Sequence, residues 1–321
     1  MKINGWKYSA IQNPNSKLLH DFEIIPNYEI KKPDYLYKYY SLKSYNIEAL
    51  TENYLYINHP IEFNDLYDCY EELISFDDEA IKSILINNPY TEEEFEVEKK
   101  KDSDIIHLQA QTRSKEMFFQ RAGIVCFSEV YNNPLMWSYY NNNNGFLIEF
   151  DYSKFQFKFH GPFPIHYSEK IESVELSNYG LATSFLYQTN IKSKIWEHEK
   201  EWRIIVETSD EYYLLPSFKL LQNFGGKQRK EKYNLSSIKT LALGNRFFKP
   251  EEITILNDKK VSIKLDENDA NYSLKKTLIE FCLKNNIPTA FCLRSKDFIT
   301  LQFRTTKIIL ENGCYTFESI M

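Results

Sequence analysis

The sequence predicts an α+β fold, and three features support that prediction. Short runs rich in aromatic and β-branched residues, bounded by Pro, Asn and Gly, are typical of strands. Between about 70 and 120, Leu, Ile and Phe instead recur at three- and four-residue spacing, which indicates helices. Glycine is scarce, with 9 in 321 residues, which disfavours a Gly-rich nucleotide-binding fold. Short strands and segregated helices together indicate α+β.

The composition narrows the class of protein. Hydrophobic residues make up 43% and charged residues 26%, as in ordinary globular proteins, and no apolar run approaches the length of about 18 residues that a membrane span needs. The first residues lack the hydrophobic core of a secretory signal, and the five cysteines include no CxxC pair. We therefore expect reduced thiols, a cytoplasmic location and no membrane partner. The net charge of −6 does not favour a broad nucleic-acid-binding surface.

The chain divides into a polar N-terminal arm at 1–33 and a single domain at 34–321. The first elements of the domain are, in order, an aromatic strand at 34–42, a short helix at 46–53, a strand at 54–60 and the helical insert at about 70–120. The next are a buried strand at 123–129, a helix and Asn-rich loop at 133–145, a strand at 146–151, two strands around a turn at Gly161-Pro162, and a helix at 177–189. The last are a strand at 238–244, a helix at 250–258, a strand at 261–265, a helix at 273–286 and the closing strands.

The stretch WEHEKEWRII at 196–205 places three acids at alternate positions ahead of an apolar run. If it is extended, side chains alternate between two faces, so the three acids and Arg203 share one of them. Trp196 and Trp202 lie on the other face and anchor the strand against a core. Neighbouring carboxylates raise one another's pKa and lower stability. The acidic face is therefore either an exposed edge that discourages aggregation or a functional surface.

A rigid carboxylate that faces a cleft suits a reaction in which positive charge develops on carbon. Cleavage of a C–N bond at the anomeric carbon builds such charge on a ribose, as glycoside hydrolysis does on a sugar ring. Glu201 would stabilise that charge, Glu199 would activate or orient the acceptor, and Arg203 would keep the pair ionised. A metal-dependent nuclease built on Asp65, Asp68 and the acidic face is an alternative.

Three further stretches contain candidate ligand-binding residues. In LYKYYS, Lys38 or the neighbouring Tyr37 would bind a phosphate or a ring of a ligand. The alternative is that these residues only pack against the core. Ser128 of CFSE is either a strand-end cap or an active-site residue, and without a GxSxG motif it does not predict a serine hydrolase. In MWSYYNNNNG, Trp137 or Tyr140 stacks on a planar ligand or packs in the core. A non-catalytic sensor or adaptor that binds a partner through such aromatics is the third alternative.

Several stretches, in this order, resemble a bacterial family known as a domain of unknown function. They are LYKYYS, LYINHPIEFNDLYD, CFSE with NPLMWSYYNNNNGFLIEFD, WEHEKEWRII and LALGNRF. The family shares an aromatic-basic-aromatic first strand, FND-x-x-D, C-F-S followed by M-W-x-x-Y, and E-x-E-W-R. The resemblance covers residues 35–250, and the elements are specific in combination. Members also occur among phage-defence genes, which implies a toxic effector and a partner protein from such a system.

The layout of that family is in turn similar to the ADP-ribosyltransferase superfamily. There, a first strand supplies His or Arg, a middle strand supplies Ser or Tyr, and a late strand supplies the catalytic Glu. Carried over by position, these roles fall on Lys38 or Tyr37, on Ser128 or Tyr140, and on Glu201 with Glu199 as its partner. Lys38 and Tyr37 depart from the family, which has His or Arg at that place.

The resemblance implies an ADP-ribosyltransferase-like split antiparallel sheet with a helical insert. It also implies an enzyme that takes NAD as substrate, cleaves the nicotinamide–ribose bond and modifies a macromolecular acceptor or water. Lys38 would hold the pyrophosphate, and Tyr140 or Trp137 would stack on nicotinamide. This function needs no metal ligand.

Overall fold

The computed structural model describes residues 1–12, 20–60, 63, 65–86, 89–119, 122–207, 229–294 and 301–320, and the fold is α+β. The α-helices of the described residues are α1 (Ser44–Thr51), α2 (Asp78–Leu85), α3 (Glu92–Lys101), α4 (Ser103–Phe119), α5 (Pro134–Asn141), α6 (Leu176–Tyr179), α7 (Leu181–Gln188) and α8 (Tyr272–Lys284). Short 3-10 helices span Glu71–Leu73, Tyr152–Lys154, Lys194–Glu199, Leu235–Ser237 and Pro250–Glu252.

The strands are numbered in chain order. The first ten are β1 (Lys2–Ile3), β2 (Trp6–Gln12), β3 (His20–Ile25), β4 (Leu36–Tyr40), β5 (Tyr54–Tyr56), β6 (Ile74–Ser75), β7 (Ala122–Ser128), β8 (Phe146–Phe150), β9 (His160–Pro164) and β10 (His166–Ser168). The others are β11 (Val174–Glu175), β12 (Ile191–Ser193), β13 (Glu201–Glu207), β14 (Lys230–Lys232), β15 (Ile238–Leu243), β16 (Ile253–Asn257), β17 (Lys260–Ile263), β18 (Thr289–Arg294), β19 (Leu301–Glu311) and β20 (Cys314–Ser319).

The largest sheet of the described residues has eleven strands in the order β16-β17-β20-β19-β18-β15-β8-β4-β7-β13-β9. Its neighbours are antiparallel except β15 and β18, which are parallel. A parallel pair needs a crossover connection, and α8 lies in the chain between these two strands. The sheet is therefore mixed, whereas the resemblance implies an antiparallel one.

The large sheet is nearly interrupted between β4 and β7. Strand β4 pairs along its full length with β8, and β7 pairs along its full length with β13. Between β4 and β7 the register contains one pair, Tyr37 with Ser128. The Lys38 ammonium donates to the Cys126 carbonyl at 3.1 Å across the same boundary. The two strands diverge here, so the sheet opens at this boundary.

Successive side chains of β13 point to opposite faces of the sheet, and each face packs in a separate apolar core. Trp202, Ile204 and Val206 join the apolar core that includes residues of α1 and α8. Ile205 points to the opposite side, into a second core that includes residues of the N-terminal strands, α2 and α7. Trp202 is 2% exposed, so it anchors β13 as the sequence predicts. Burying a large apolar side chain of this kind contributes about 1.5–3 kcal/mol.

The predicted N-terminal arm contains a three-stranded antiparallel sheet, β1-β2-β3. Its side chains Trp6 and Tyr8 are buried in the second core. The Tyr8 hydroxyl lies 3.2 Å from His166 Nδ1, and the Trp6 ring stacks on the same imidazole at 4.7 Å. His20 Nδ1 contacts the buried Glu207 carboxylate at 2.5 Å. These contacts attach the small sheet to the body of the protein.

Helices α2, α3 and α4 lie within the predicted helical insert. Asp77 caps α2, and a reciprocal capping box between Thr91 and Glu94 begins α3. Phe95 and Ile106 are buried, while most charged side chains of α3 are exposed. No helix in the described part of the chain is long and apolar enough to cross a bilayer.

Two predictions of local structure away from the acidic stretch at 196–205 are wrong. The turn predicted at Gly161-Pro162 lies inside β9, an edge strand of the large sheet, where a proline without an N–H is tolerated. The helix predicted at 250–258 is one 3-10 turn followed by β16. The β-branched run that begins at Ile253 favours a strand, and β17 supplies its pairing partner.

Replacing Gly145 by alanine is expected to lower the free energy of unfolding by about 1–3 kcal/mol, as overpacking does. A Cβ at Gly145 would lie 2.1 Å from the Tyr40 carbonyl oxygen and 2.6 Å from Asn141 Cβ. Urea denaturation measures the loss. Asn144→Ala is the control in the same loop, because its backbone bond to Asn141 survives the change. Equal stabilities of the two variants would contradict this packing argument.

Candidate active site

A cavity of about 200 Å³ lies where β4 and β7 diverge. Its walls come from both strands, from α5, from the segment before α2, and from the chain around β12 and β13. The lining residues are Tyr37, Lys38, Tyr39, Asn58, Phe63, Asp68, Cys126, Phe127, Ser128, Met136, Tyr140, Lys192, Glu199 and Glu201. The structure thus brings together six of the seven residues predicted as catalytic or cofactor-binding.

Glu199 and Glu201 reach this pocket by a route that the sequence pattern did not predict. The segment before Glu201 is not extended: a 3-10 helix ends at Glu199, and Lys200 adopts a left-handed conformation with φ 46°. Strand β13 begins only at Glu201. Glu199 and Glu201 are both buried, whereas Glu197 is exposed. The predicted three-acid face is therefore a two-acid pocket.

Arg203 fixes the Glu201 carboxylate. The guanidinium is 1% exposed, and its Nε donates to Glu201 Oε1 at 2.7 Å. Its two terminal nitrogens donate to both oxygens of Asp68 at 2.8 and 2.6 Å, and one of them also donates to the Thr189 carbonyl at 2.7 Å. Bidentate pairing of this kind is strong and geometrically specific. Glu201 and Asp68 therefore occupy adjacent edges of one buried guanidinium, and its Nη2 donates to both carboxylates.

Lys192 connects the two glutamates. Its ammonium donates to Glu201 Oε2 at 2.9 Å and to Glu199 Oε2, and it lies 3.9 Å from Asp68 Oδ2. Burial alone would lower the pKa of Lys192, but Glu201 and Glu199 raise the pKa above its ordinary value. Lys192 is therefore protonated, and it supplies the positive charge that allows two carboxylates to share one pocket.

The two glutamates have opposite electrostatic environments. Burial by itself would raise the pKa of Glu201, but Arg203 and Lys192 hold it well below its usual range. Burial raises the pKa of Glu199, and the Glu201 charge raises it further, while Lys192 and Tyr140 lower it by less. Glu201 is therefore a permanent anion at neutral pH. Glu199 is the carboxylate whose protonation changes more readily.

Hydrogen bonds orient the carboxylate and the backbone of Glu199. The Tyr140 hydroxyl donates to Glu199 Oε1. The Ser128 hydroxyl donates to the Glu199 carbonyl at 2.6 Å and accepts from the Val130 N–H at 3.1 Å. Ser128 is 2% exposed, so it positions Glu199 rather than presenting a free hydroxyl to a ligand. Of the two alternatives for Ser128, a strand-end cap or an active-site residue, these hydrogen bonds favour the cap.

Lys38 and Tyr37 form the β4 wall of the pocket. The Lys38 ammonium lies 5.7 Å from the Phe127 ring centre in addition to its bond to Cys126. Burial lowers the pKa of Lys38, and the neighbouring Cys126 and Glu201 partly oppose that shift. The Tyr37 hydroxyl donates to Glu149 at 3.2 Å. Both side chains therefore lie at the opening of the sheet, with Lys38 aimed toward β7.

Trp137 lies outside the pocket. Its ring is fully buried, packs edge-on against Tyr39 at 5.4 Å and contacts Phe303 at 5.7 Å. Its indole N–H donates to the Tyr131 carbonyl at 2.7 Å. The predicted stacking role of Trp137 is therefore wrong, because α5 directs this ring into a small core. Tyr140, three residues later, faces the pocket.

Sequence reasoning missed Lys192 and placed Asp68 only in the nuclease alternative. The segment TNIKS gives no signal for Lys192, because Ile191 is its single apolar residue and nothing in the local pattern predicts that the ammonium is buried. Phe63 of the FND element was also missed as a pocket residue, and its ring lies 5.3 Å from the Arg203 guanidinium. The FND-x-x-D element thus contributes both an aromatic wall and an acid.

The acids that would support a nuclease are not arranged as a metal site. Both Asp68 oxygens accept from Arg203, and Glu201 is bound by Arg203 and Lys192. Asp65 does not line the pocket. Within the described ranges, no three His, Cys, Asp or Glu side chains form a group that could hold a metal ion.

Comparisons with known proteins identify no relative. No family model, no curated protein and no solved structure matches this chain.

Proposed function

We propose that the protein cleaves the N-glycosidic bond between nicotinamide and ribose in NAD and transfers ADP-ribose to a macromolecular acceptor or to water, on an ADP-ribosyltransferase-like fold. One observation carries the proposal: Glu199 and Glu201 both bind Lys192 in a single aromatic-walled pocket at an opening of the sheet. When the environments of two carboxylates push their pKa values apart, the two can take different roles. The permanently ionised one stabilises positive charge, and the other acts as a general base.

The roles follow from the contacts. When the bond between C1′ and the nicotinamide nitrogen breaks, its electron pair leaves with nicotinamide and positive charge develops on the ribose. Glu201, held ionised by Arg203, would stabilise that charge without reorganising. The acceptor would form the new bond to C1′ and give its proton to Glu199. Tyr140 would stack on nicotinamide, and Lys38 would bind the pyrophosphate.

The nearly interrupted sheet supports the fold part of the proposal. The resemblance implies a split antiparallel sheet, and the described strands β4 and β7 share a single pair at the place where the pocket lies. A cleft between strands keeps water from much of the reacting centre, which strengthens charge interactions there. The same resemblance is the basis for proposing a toxic effector in phage defence, with a partner protein from that system, while the cysteine usage is the basis for proposing a cytoplasmic location.

Nicotinamide release from NAD tests the proposal. Purified protein would be incubated with NAD in EDTA, and separately with Mg²⁺, and nicotinamide would be quantified by chromatography. Release that persists in EDTA is the expected result. Nucleic-acid cleavage that requires Mg²⁺, without NAD turnover, would replace the proposal with the nuclease alternative. Absence of both activities, with binding of a partner protein through surface aromatics, would support the sensor or adaptor.

Replacing Tyr140 by phenylalanine is expected to move the acidic limb of the pH–rate profile to higher pH. The hydroxyl donates to the charged form of Glu199 and lowers its pKa, so its loss raises that pKa. A base acts when ionised, so activity at the acidic end falls while the plateau changes less.

Tyr139→Phe is the matched control for this change. Tyr139 is the adjacent tyrosine, is 67% exposed, and lies beside Trp196 and His198 rather than in the pocket. Its profile should superimpose on that of the wild type. Identical profiles for wild type and Tyr140→Phe would exclude Glu199 as the base.

A further inference from the structure

A second cavity of about 300 Å³ adjoins the active-site pocket and shares Tyr37 with it. It lies over strands β4, β8, β15, β18 and β19, on the sheet face to which Tyr37 points. The residues that matter here are Tyr37, Tyr131, Glu149, Thr240, Phe303 and Thr305. None of the proposed catalytic steps uses this cavity.

The walls of the second cavity are aromatic. The Tyr37 and Tyr131 ring centres lie 5.2 Å apart, and the Tyr131 and Phe303 centres also lie 5.2 Å apart. The floor is apolar and consists of Leu147 with Ala242 and Ala290, which face each other on the parallel pair β15 and β18. Aromatic walls above an apolar floor suit an aromatic ring, since aromatic groups attract one another beyond the effect of area burial.

The polar groups of the cavity select the kind of ring. Glu149 belongs to β8, where it pairs with Tyr37 of β4 on one side and with Thr240 of β15 on the other. Its carboxylate therefore lies between the aromatic wall and a hydroxyl. Tyr37 donates to Glu149 Oε1, and within the described chain no other side chain donates to this carboxylate. An ionised carboxylate accepts hydrogen bonds only, so it would bind a ring with an N–H or amino group. Thr240 and Thr305 add hydroxyls that both donate and accept.

We propose that the second cavity binds the amino-purine end of a dinucleotide whose other end occupies the active-site pocket. This inference rests on the proposed function and specifies how NAD would be recognised there. Adenine has the exocyclic amine that Glu149 would accept from and the flat ring that the aromatic walls fit. Tyr37 lines both cavities, so one ligand that occupies both would contact this side chain between its two ends.

The arrangement gives the purine end a defined role. Binding energy from a remote part of a substrate can hold the reacting part in position, so truncated substrates react more slowly. Nicotinamide mononucleotide contains the scissile bond but lacks the adenosine monophosphate end. We therefore expect kcat/KM for NAD to exceed that for nicotinamide mononucleotide by at least about tenfold.

Two variants separate this cavity from the catalytic pocket. Glu149→Gln keeps the shape and removes the charge, and a hydrogen bond to a charged group accounts for about tenfold or more in affinity. Thr305→Tyr adds bulk from β19, away from the active-site pocket. Each should raise KM for NAD about tenfold and leave kcat/KM for nicotinamide mononucleotide unchanged. Thr254→Tyr, on the exposed edge strand β16, is the control for adding bulk to the same sheet.

Direct binding of adenosine monophosphate tests the cavity without catalysis. Calorimetry should detect binding to the wild type and to Thr254→Tyr, and at least about tenfold weaker binding to Thr305→Tyr. Binding that follows this pattern, without nicotinamide release from either substrate, would retain the cavity and reject the proposed reaction. Nicotinamide release from both substrates at equal kcat/KM, with no adenosine monophosphate binding, would reject the cavity and retain the reaction. No adenosine monophosphate binding to the folded wild type would by itself overturn the inference.

Discussion

Glutamine in place of Glu201 is expected to lower nicotinamide release from NAD by ~10²–10³-fold, the cost of losing one group that stabilises transition-state charge. The amide keeps the size of the carboxylate and its oxygen, but not the negative charge that Arg203 and Lys192 hold in the pocket. The positive charge of these two residues would then repel the developing ribose cation. The loss should therefore appear in kcat, measured at saturating NAD by chromatography of nicotinamide.

The control for this change is Glu197→Gln. Glu197 lies four residues before Glu201 and is exposed, so the same chemical change there should leave kcat within about twofold, as expected for a surface substitution. Thermal unfolding followed by circular dichroism would establish that each variant is folded at the assay temperature. An unchanged rate in a folded Glu201→Gln protein would remove Glu201 from the mechanism.

Methionine in place of Arg203 is expected to lower the free energy of unfolding by about 3–5 kcal/mol, the cost of breaking a buried ion pair from one side. The guanidinium donates to Asp68, Glu201 and the Thr189 carbonyl, and all three lose these hydrogen bonds together, although Glu201 keeps the one from Lys192. Methionine retains much of the side-chain volume, so the change tests charge and hydrogen bonding more than packing. Urea denaturation measures the difference.

A double replacement separates the contribution of the Asp68–Arg203 ion pair to the free energy of unfolding from the other effects of each single change. Asp68→Asn combined with Arg203→Met should be less destabilising than the sum of the single changes, because Asp68 no longer carries an unpaired charge. Arg304→Met is the surface control: this exposed arginine donates to the Asp258 carbonyl, and its loss should cost less than about 0.5 kcal/mol. Strict additivity of the Asp68 and Arg203 changes would show that their ion pair contributes nothing to folding.

Local patterns were sufficient to predict the fold class and much of the candidate site. Alternating apolar residues placed Trp202 in the core, and spacing of two placed Glu201 and Arg203 on one face. The insert was recognised because helical periodicity extends over many residues. These features depend on neighbours within a few positions, which is the range over which periodicity carries information.

The features that could not be predicted depend on distant contacts. Asp68 meets Arg203 across 135 positions of sequence, and no local pattern indicates that pairing. Lys200 adopts a left-handed conformation in place of the extended one predicted, because the 3-10 helix before it must turn into β13. Trp137 points inward because Tyr39 and Phe303, from separate strands, form a core beneath α5.

The single residue pair between β4 and β7 has a mechanical consequence. It divides the eleven-stranded sheet into one block of eight strands and another of three, each continuously hydrogen-bonded within itself. Lys38 belongs to the larger block and Glu201 to the smaller, so any rotation of one block against the other changes their separation. Motion about a boundary with few hydrogen bonds is the cheapest large displacement available to a sheet. The boundary is therefore the part of the sheet whose hydrogen bonds resist such a displacement least.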